Sequence, residues 1–485
     1  MDTTEPDPAN AAPGTPQAGP QDPTPARPRR KAARRTAEIF LPAAVFLALL
    51  AFQIGDRIEE RRVPRRDAEQ YLTAAWHIAH DATLSLAPEG ARPDRPSAHR
   101  APAYPALLAA VILASPDLRA LTLGEILRED ALPLLRPFWI VNTLLLLGSA
   151  AAAMIIVRRA TGSRIAAWLA LGAVGLDTAL VGRTANLHSE NLATPLLAAF
   201  SLVLALGVSG RSLRLFAVCG FLLSLLTLTR PAFFYLWVPV AILAISLPWW
   251  TGWDRKRSRA AALVFVAAFV PLTAGWMARN AWHFDRFFVA EGSGVNLDIR
   301  SRLDMMSFRQ GVASFVLWSR SPLARRSHPS GWGGWIGEDE LAFLEGSDDR
   351  HYHKRATNRR QELRNEHGGV EADRLQRKEA MRRILSHPVR HALATIPIAH
   401  RGIYQHDMMP SLALYAALVG VFVLAVRRRE ALLVALFLPA LFTVVFHSLL
   451  TENITRYNEP IVPLLWCALL VCAFRAIAAE ARAGA

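Results

Sequence analysis

The chain of 485 residues contains few cysteines and few charged residues. All three cysteines (Cys219, Cys467 and Cys472) lie inside apolar blocks, which excludes a disulfide framework that would brace water-exposed segments. Charged residues make up 20% of the chain and hydrophobic residues 52%. Because the hydrophobic residues form uninterrupted blocks near the ~20 residues that cross a bilayer core of ~30 Å, a soluble multidomain enzyme and a disordered or fibrous chain are excluded.

Nucleotide-binding and metal-binding motifs are also missing. The sequence has no G-x-x-x-x-G-K-[ST] motif and no glycine-rich dinucleotide loop, so no nucleotide site is expected. The histidines of the segment 351–406 do not combine with carboxylates in a recognisable metal-binding pattern. We therefore predict no metal site and no cofactor.

The formal charge of +15 does not indicate nucleic-acid binding. Arginines cluster at the ends of the apolar blocks, where membrane topology and anionic lipid headgroups favour them. The partners predicted from charge are therefore membrane lipids, and no nucleic acid is expected.

Ten apolar blocks are predicted to cross the membrane as helices. They comprise residues 39–55, 137–157, 165–182, 191–208, 213–229, 232–250, 260–277, 410–426, 431–449 and 461–478. The predicted fold class is an all-α polytopic membrane protein of about ten transmembrane helices with two large extracytoplasmic segments.

The distribution of arginine predicts the orientation. The short connectors 158–164, 211–214, 254–259 and 427–429 are all basic, which places them and both termini in the cytoplasm. The block 39–55 is interpreted as a signal anchor rather than a cleaved signal peptide, because the apolar run is long, lies late in the chain and has no small-residue cleavage site. Arginines at 61, 62, 65 and 66 oppose this orientation, but four basic connectors outweigh them.

The predicted organisation has four parts. They are a disordered basic cytoplasmic tail (1–37), an N-terminal transmembrane catalytic module (38–277) with its first outer loop (56–136), an extracytoplasmic segment (278–409), and C-terminal transmembrane helices (410–485). Within the third part, residues 371–385 have a charged helical pattern that ends at His387-Pro388. The role of residues 300–370 is not predicted.

Polar residues at the outer ends of the spans are the candidate site residues, because apolar surroundings make such groups costly to keep. Asp67 begins an amphipathic helix with Glu69 close behind; its carboxylate could act as a general base or cap the helix. Arg100 and Tyr104 lie in a proline-rich turn, where they could bind a phosphate or anchor the chain at the interface.

Further candidates follow along the chain. Glu190 opens a span in the segment RTANLHSEN, where it and Ser189 could instead cap the helix, and Asp177 within a span needs a partner or a cavity. Arginines at three outer ends could bind an anionic headgroup together, although each alone could contact a lipid phosphate: Arg230, Arg279 and Arg456.

These motifs, in this order, resemble those of polytopic glycosyltransferases of the GT-C class, in the branch of protein mannosyltransferases and lipid A aminoarabinose transferases (family 39-like). The resembling motifs are DAEQY from Asp67, R-x-P-x-Y-P from Arg100, RRATGSR, SEN at Glu190, T-R-P at Arg230, W-x-x-R-N at Arg279 and R-Y-x-x-P from Arg456. The resemblance covers about residues 38–300 and 375–480.

The resemblance implies a donor sugar, hexosyl or pentosyl, linked to a polyprenyl phosphate. It implies Asp67 as the base for an acceptor hydroxyl, an inverting displacement, and arginines that stabilise the leaving phosphate. It also implies an active site on the outer face of a plasma membrane, such as the bacterial inner membrane. Many relatives have adjacent Asp and Glu, whereas Ala68 intervenes here, which puts a role for Glu69 in doubt.

The acceptor, whether glycan, lipid or protein, is not predicted. Two alternative functions remain: a polymerase or ligase of surface glycans, and a transporter or flippase of lipid-linked sugars. Transporters usually place their polar groups at the membrane midplane within repeated halves. Here the polar groups lie outside the spans, which favours an enzyme.

Overall fold

The computed structural model describes residues 44–52, 64–88, 96–319, 326–332 and 334–483, and the regular structure within these ranges is helical. The chain divides into two units, residues 1–48 and residues 49–485. In the first unit, the described residues 44–48 are helical. The second unit contains all the elements numbered below, and the predicted all-α class is confirmed for the described residues.

Short helices precede the bundle. They are α1 (Asp67–Asp81), α2 (Ala103–Ala114), α3 (Pro116–Arg119), α4 (Leu123–Ile126) and a 3-10 helix over Glu129–Leu135. Tyr71 and Leu72 of α1 share one buried cluster with Tyr104 and Leu108 of α2. The helical spacing of these apolar residues puts them on facing sides of the two helices. This packing fixes the start of α1, where Asp67 lies.

The first part of the bundle contains seven α-helices. They are α5 (Arg136–Thr161), α6 (Arg164–Gly175), α7 (Thr178–Thr184), α8 (Glu190–Gly210), α9 (Leu213–Thr229), α10 (Trp237–Trp250), preceded by a 3-10 helix over Pro231–Leu236, and α11 (Arg255–Phe284). The predicted outer segment begins at residue 278, whereas α11 continues seven residues further, to Phe284.

A polar helical layer follows α11. Its elements are α12 (Ser293–Leu303), α13 (Phe308–Leu317), a 3-10 helix over Pro329–Gly331, α14 (Glu338–Glu345), α15 (Tyr352–His367), α16 (Gly369–Ser386) and α17 (Pro388–Gly402). The predicted helix over 371–385 lies inside α16. Pro388 begins α17, a helix that sequence reasoning missed; proline is favoured in the first turn because the missing N–H would have no partner there.

The bundle ends with α18 (Met408–Arg427), α19 (Ala431–Leu450), a 3-10 helix over Thr455–Ile461 and α20 (Val462–Ala483). Of the ten predicted spans, seven coincide with helices that are long and apolar enough to cross a membrane. An eighth is the bent pair α6–α7, and a ninth is α9, which is apolar but has 17 residues. Of the predicted span 39–55, the structure describes residues 44–52, which are helical, and the rest lies outside the described residues. The protein is a multi-pass membrane protein.

The bend between α6 and α7, 48° in size, lies at Asp177. One carboxylate oxygen accepts the backbone N–H groups of Ala179 and Leu180, at 3.0 and 3.1 Å. The other accepts from His406 Nε2 at 2.7 Å and Trp466 Nε1 at 2.8 Å. Asp177 therefore has the partners that a buried carboxylate needs, and it caps α7 and joins three parts of the bundle.

The basic connectors lie together at one end of the bundle, because successive spans run in opposite directions. Arg475 near the end of α20 pairs with Glu430 and donates to the carbonyl of Ala160. Trp253 donates to the carbonyl of Val208 at 3.2 Å. The connectors after α7, α9 and α19 lie at the opposite end, and Glu190, Arg230 and Arg456 lie in or directly after them.

Helices α9 and α11 approach closely where Gly220 and Ser224 lie one turn apart. A Cβ atom on Gly220 would stand 2.2 Å from the carbonyl oxygen of Phe265 and 2.9 Å from the amide nitrogen of Phe269. One turn along, the hydroxyls of Ser224 and Thr273 are 2.9 Å apart. Small residues at this spacing let helix backbones meet in membranes, where no hydrophobic effect drives them together.

We expect Gly220→Ala to force α9 and α11 apart and to destabilise the protein by about 1–3 kcal/mol, the usual range for overpacking. The measurement is the thermal unfolding midpoint in detergent. Gly172→Ala on α6 is the matched control, because nothing lies within 4 Å of its added Cβ. Equal midpoints for the two variants would contradict the close approach at Gly220.

Candidate active site

Asp67 is the first residue of α1, and its carboxylate does not cap the helix. The residue before it, Arg66, has a φ of 54°, and no side chain caps this helix start. A left-handed conformation at a residue other than glycine persists only where surrounding contacts hold it. The Asp67 carboxylate makes ion pairs instead, so the capping role considered from the sequence is not observed.

Arg100 is held by two side chains of α1 that lie one turn apart. Its Nη2 atom donates to Asp67 Oδ1 at 2.5 Å. Its Nε and Nη2 atoms also donate to Gln70 Oε1, at 2.9 and 2.6 Å. The guanidinium lies over the ring of Tyr71, 4.9 Å from its centroid. Glu69 is exposed, so Gln70 takes the position beside Arg100.

Tyr104 supports the position of Arg100 and α1 through a buried hydrogen bond. Its side chain is fully buried, and its hydroxyl donates to Asn142 Oδ1 at 3.2 Å. Asn142 in turn donates to the carbonyl of Thr184, at the end of α7. Tyr104 therefore ties α2 to α5 and to the connector before α8, and it is not an exposed interfacial anchor.

Arg456 bridges the two carboxylates that the sequence singled out. Its Nη2 atom donates to Asp67 Oδ2 at 2.7 Å, and its Nε atom lies 3.0 Å from Glu190 Oε1. It is carried by the 3-10 helix before α20, so residues from opposite ends of the chain meet here. The bridge brings the start of α1 and the start of α8 together.

Glu190 faces a second arginine. Arg230 Nη1 lies 3.3 Å from Glu190 Oε1, and the Glu190 side chain is 3% exposed. Neither Glu190 nor Ser189 makes a side-chain capping bond, so the capping role considered for them is also not observed. The charged groups alternate as Arg100, Asp67, Arg456, Glu190 and Arg230, three cations and two anions.

Two guanidinium donors in this series lack hydrogen bonds. Arg230 Nη1 and Arg456 Nε are buried, and neither has a hydrogen-bond partner among the described residues. Each faces Glu190 at ion-pair distance only. An unsatisfied buried donor is costly, and a charged one more so. These two N–H groups can therefore bind an additional anionic oxygen.

A second carboxylate–arginine pair stands behind Glu190. Arg183 Nε donates to Glu459 Oε2 at 2.7 Å, and both side chains line the small cavity that also contains Glu190. Because this pair is neutral overall, it adds no net charge to the three cations and two anions. The pair joins the end of α7 to the segment that carries Arg456.

Electrostatics keep Asp67 ionised. Burial alone would raise its pKa, but the positive charges of Arg100 and Arg456, and the hydrogen bonds that they donate, hold the pKa well below its usual range. Burial lowers the pKa of His188 to about 4, despite the opposing charge of Glu190. Burial and the charge of Arg100 lower the pKa of His99 to about 3. Both imidazoles are therefore neutral at pH 7.

Arg279 lies apart from this series. Its Nη1 atom donates to the carbonyl of Ser97 at 3.1 Å and to Asn280 Oδ1 at 2.9 Å. Its guanidinium also lies over the ring of Trp276, 4.8 Å from the centroid. These contacts join α11 to the segment before Arg100. The structure thus brings together Asp67, Arg100, Glu190, Arg230 and Arg456, and places Tyr104 and Arg279 around them.

Two clefts reach the start of α1 from different sides. One, of about 1020 Å³, is lined by Gln70 and His99 and by residues of the polar layer, including Glu291 and Arg364. The other, of about 530 Å³, is lined by Ala68 and by Leu132, Trp139 and His188. Ala68 and Gln70, which follow Asp67 on α1, thus line two different clefts, and each cleft has both polar and apolar walls.

Sequence reasoning missed three contributors: Gln70, Arg183 and Glu459. Gln70 lies one turn after Asp67, so helical spacing could have indicated that both face the same partner. Arg183 begins the segment RTANLHSEN and Glu459 lies in the segment with Arg456, but nothing in their spacing shows that they pair.

No family model and no curated protein matches the chain. Among solved structures, the chain is similar to the archaeal oligosaccharyltransferase AglB from Archaeoglobus fulgidus, determined in complex with an inhibitory peptide and a dolichol-phosphate. The similarity has a TM-score of 0.44 and 12% sequence identity, and it covers 88% of this chain and 50% of that chain. The chain thus spans about half the length of that protein.

The ion pair between Asp67 and Arg456 can be tested with a double-mutant cycle. We expect Asp67→Asn and Arg456→Gln to couple by about 1–2 kcal/mol in unfolding free energy, because each variant removes the same partly buried contact. Asp67 and Arg279 have no hydrogen bond or ion pair with each other in the described part of the chain, so Asp67→Asn with Arg279→Gln serves as the control pair and should be additive. Additivity in the first cycle would refute the bridge.

The cycle is measured at pH 7 because the Asp67 carboxylate is ionised there in both the folded and the unfolded protein. A carboxylate whose folded pKa is depressed contributes stability above its unfolded pKa, near 3.8, and this stability is lost as the pH falls toward the folded pKa. At pH 7 the contribution of Asp67 is therefore complete. Removing Arg456 raises the folded pKa, because one positive charge is lost and burial remains.

Proposed function

We propose that the protein is a membrane glycosyltransferase that transfers a sugar from a polyprenyl-phosphate donor to an acceptor hydroxyl, with inversion and with Asp67 as general base. The observation that supports it most is the alternating series of charged groups, in which two buried guanidinium donors lack hydrogen bonds. The order of motifs that resembles the GT-C class adds to this support.

The donor phosphate is assigned to the side of Arg230 and Arg456. Their unpaired N–H groups suit a phosphate oxygen, because guanidinium groups stay charged and donate in a planar fork. Glu190 neutralises part of this charge in the free protein. We assign the polyprenyl chain to the cleft lined by Leu132, Trp139 and His188, because its aliphatic and aromatic side chains can contact an apolar chain.

The acceptor is assigned to the opposite side of Asp67, where the larger cleft opens at Gln70. The acceptor oxygen attacks the anomeric carbon of the sugar, and the bond from that carbon to the phosphate oxygen breaks. Polyprenyl phosphate leaves with the bonding electrons, and the hydroxyl proton passes to the Asp67 carboxylate. Attack from the side opposite the leaving phosphate inverts the anomeric carbon.

Donor binding would also raise the pKa of the Asp67 carboxyl group. With two arginines beside it, the carboxylate has a pKa well below its usual range, which makes it a weak base. A phosphate oxygen that draws the guanidinium of Arg456 toward itself weakens one of these two ion pairs. The pKa of Asp67 then rises, so the base becomes effective once the donor is in place.

We further propose that both termini are cytoplasmic and that the active site faces the outer side. Its support is that the basic connectors and the candidate site residues lie at opposite ends of the bundle, together with the usual excess of arginine in cytoplasmic loops. A polyprenyl-linked donor suits this side, because it supplies the activated sugar without a nucleotide.

We expect Asp67→Asn to lower sugar transfer by about 10²-fold or more, the usual contribution of a positioned base. The assay uses membranes carrying the protein, polyprenyl-phosphate sugars as donors and an extract of envelope glycans and lipids as acceptors. Glu69→Gln is the matched control on the same helix, and its activity should equal that of the unchanged protein. Full activity in Asp67→Asn would exclude Asp67 as the base. Movement of lipid-linked sugar across the bilayer without any transfer would favour the transporter alternative.

Orientation is tested with an impermeant maleimide on intact cells. Glu69→Cys at the site end should be labelled, whereas Arg428→Cys at the basic end should be labelled only after the cells are opened, since both positions are exposed. The unsubstituted chain gives the background from its own cysteines. The opposite labelling pattern would reverse the proposed topology.

A further inference from the structure

An exposed apolar stripe runs along α17, outside the bundle helices. Val389, Leu393 and Ile396 are 70%, 62% and 60% exposed. Their spacing of four and three residues puts them on one face of the helix. The opposite face is buried at Ala394 and Ile398. Such a stripe is costly in water and indicates contact with an apolar phase or a partner.

Helix α13 has the same pattern. Phe308 is 82% exposed, and Val312 and Phe315 follow on the same face with 37% and 38% of their surface exposed. The ring of Phe315 lies 4.8 Å from that of His400, which continues the stripe of α17. The two stripes therefore form one surface, called here the apolar face of α13 and α17.

We propose that the apolar face of α13 and α17 lies in the interfacial layer of the same membrane that the bundle crosses. The membrane is indicated as the phase that covers this face because the face is continuous with the bundle: α17 ends at Gly402, and the transmembrane helix α18 begins at Met408. The first turns of α18 carry the exposed side chains Met409 and Leu412. The apolar surface thus leads into the part of the bundle that contacts lipid.

The charged residues of α13 and α17 also indicate contact with a membrane. Neither α13 nor α17 contains an acidic residue, and the exposed arginines Arg309 and Arg390 flank the apolar stripes. Basic side chains beside an apolar helical face are typical of helices that lie in the interface of membranes containing anionic lipids.

The buried side of α17 connects this surface to the charged series of the site. Asn453 donates to the carbonyl of Ile398 at 3.0 Å, and Arg456 follows three residues later. Membrane contact on one side of α17 therefore steadies the segment that positions Arg456. The inference itself does not depend on the reaction proposed above, since it rests on exposure, spacing and charge.

The test is spin labelling of the full chain in vesicles of phosphatidylcholine and phosphatidylglycerol. Nitroxides are attached to Leu393→Cys on α17, to Val312→Cys on α13 and, as control, to Lys354→Cys on the exposed side of α15. We expect collisions with oxygen to exceed those with a water-soluble nickel chelate several-fold at positions 393 and 312. The ratio should be reversed at position 354.

Two results would overturn the proposal. Nickel accessibility at position 393 equal to that at position 354 would place the face in water. Protection from both reagents, with spin–spin broadening that disappears on dilution with unlabelled protein, would show that a second copy covers the face. The labelling background of the native Cys219, Cys467 and Cys472 is measured on the unsubstituted chain.

Discussion

The ion-paired bridge of Arg456 between Asp67 and Glu190 is the contact on which the rest of the site depends. Charged side chains at the end of a membrane bundle are costly unless they are paired. One guanidinium here serves two carboxylates from distant parts of the chain, so α1, α8 and the segment before α20 must all be in place at once. Tyr104, which packs against α1, is tied through Asn142 to the carbonyls of Thr184 and Asn186, just before α8.

The pairing is incomplete, and this sets the chemistry that the site can perform. A fully satisfied series of ion pairs would have little affinity for a further anion. Here Arg230 and Arg456 each retain a buried N–H group that has no hydrogen bond within the described part of the chain, and both face Glu190. An anionic ligand would therefore compete with a carboxylate that is already present, and its binding would redistribute charge toward Asp67. In the proposed reaction, donor binding and the base strength of Asp67 would be coupled through the guanidinium of Arg456.

The sequence predicted much of this because antiparallel spans return to the same end of a bundle. Asp67, Arg100, Glu190, Arg230 and Arg456 were all placed at one end by counting spans, and they do converge. Sequence alone could not distinguish capping from ion pairing at Asp67 and Glu190, since both roles suit a carboxylate at a helix start. The separate position of Arg279 depends on how α11 packs, which spacing does not specify.

The helix α17 was missed for a related physical reason. Its apolar positions alternate with histidine and arginine and include Pro397, so its hydropathy resembles that of a polar loop. The pattern becomes clear only once the fold shows which face is buried. A helix face left exposed beside transmembrane helices can contact either water or the membrane. An aliphatic stripe flanked by arginines is stabilised by the membrane, because the membrane has an apolar interior and anionic headgroups. In the proposed topology, the polar layer would then lie against the outer surface of the membrane, where the proposed lipid-linked donor is held.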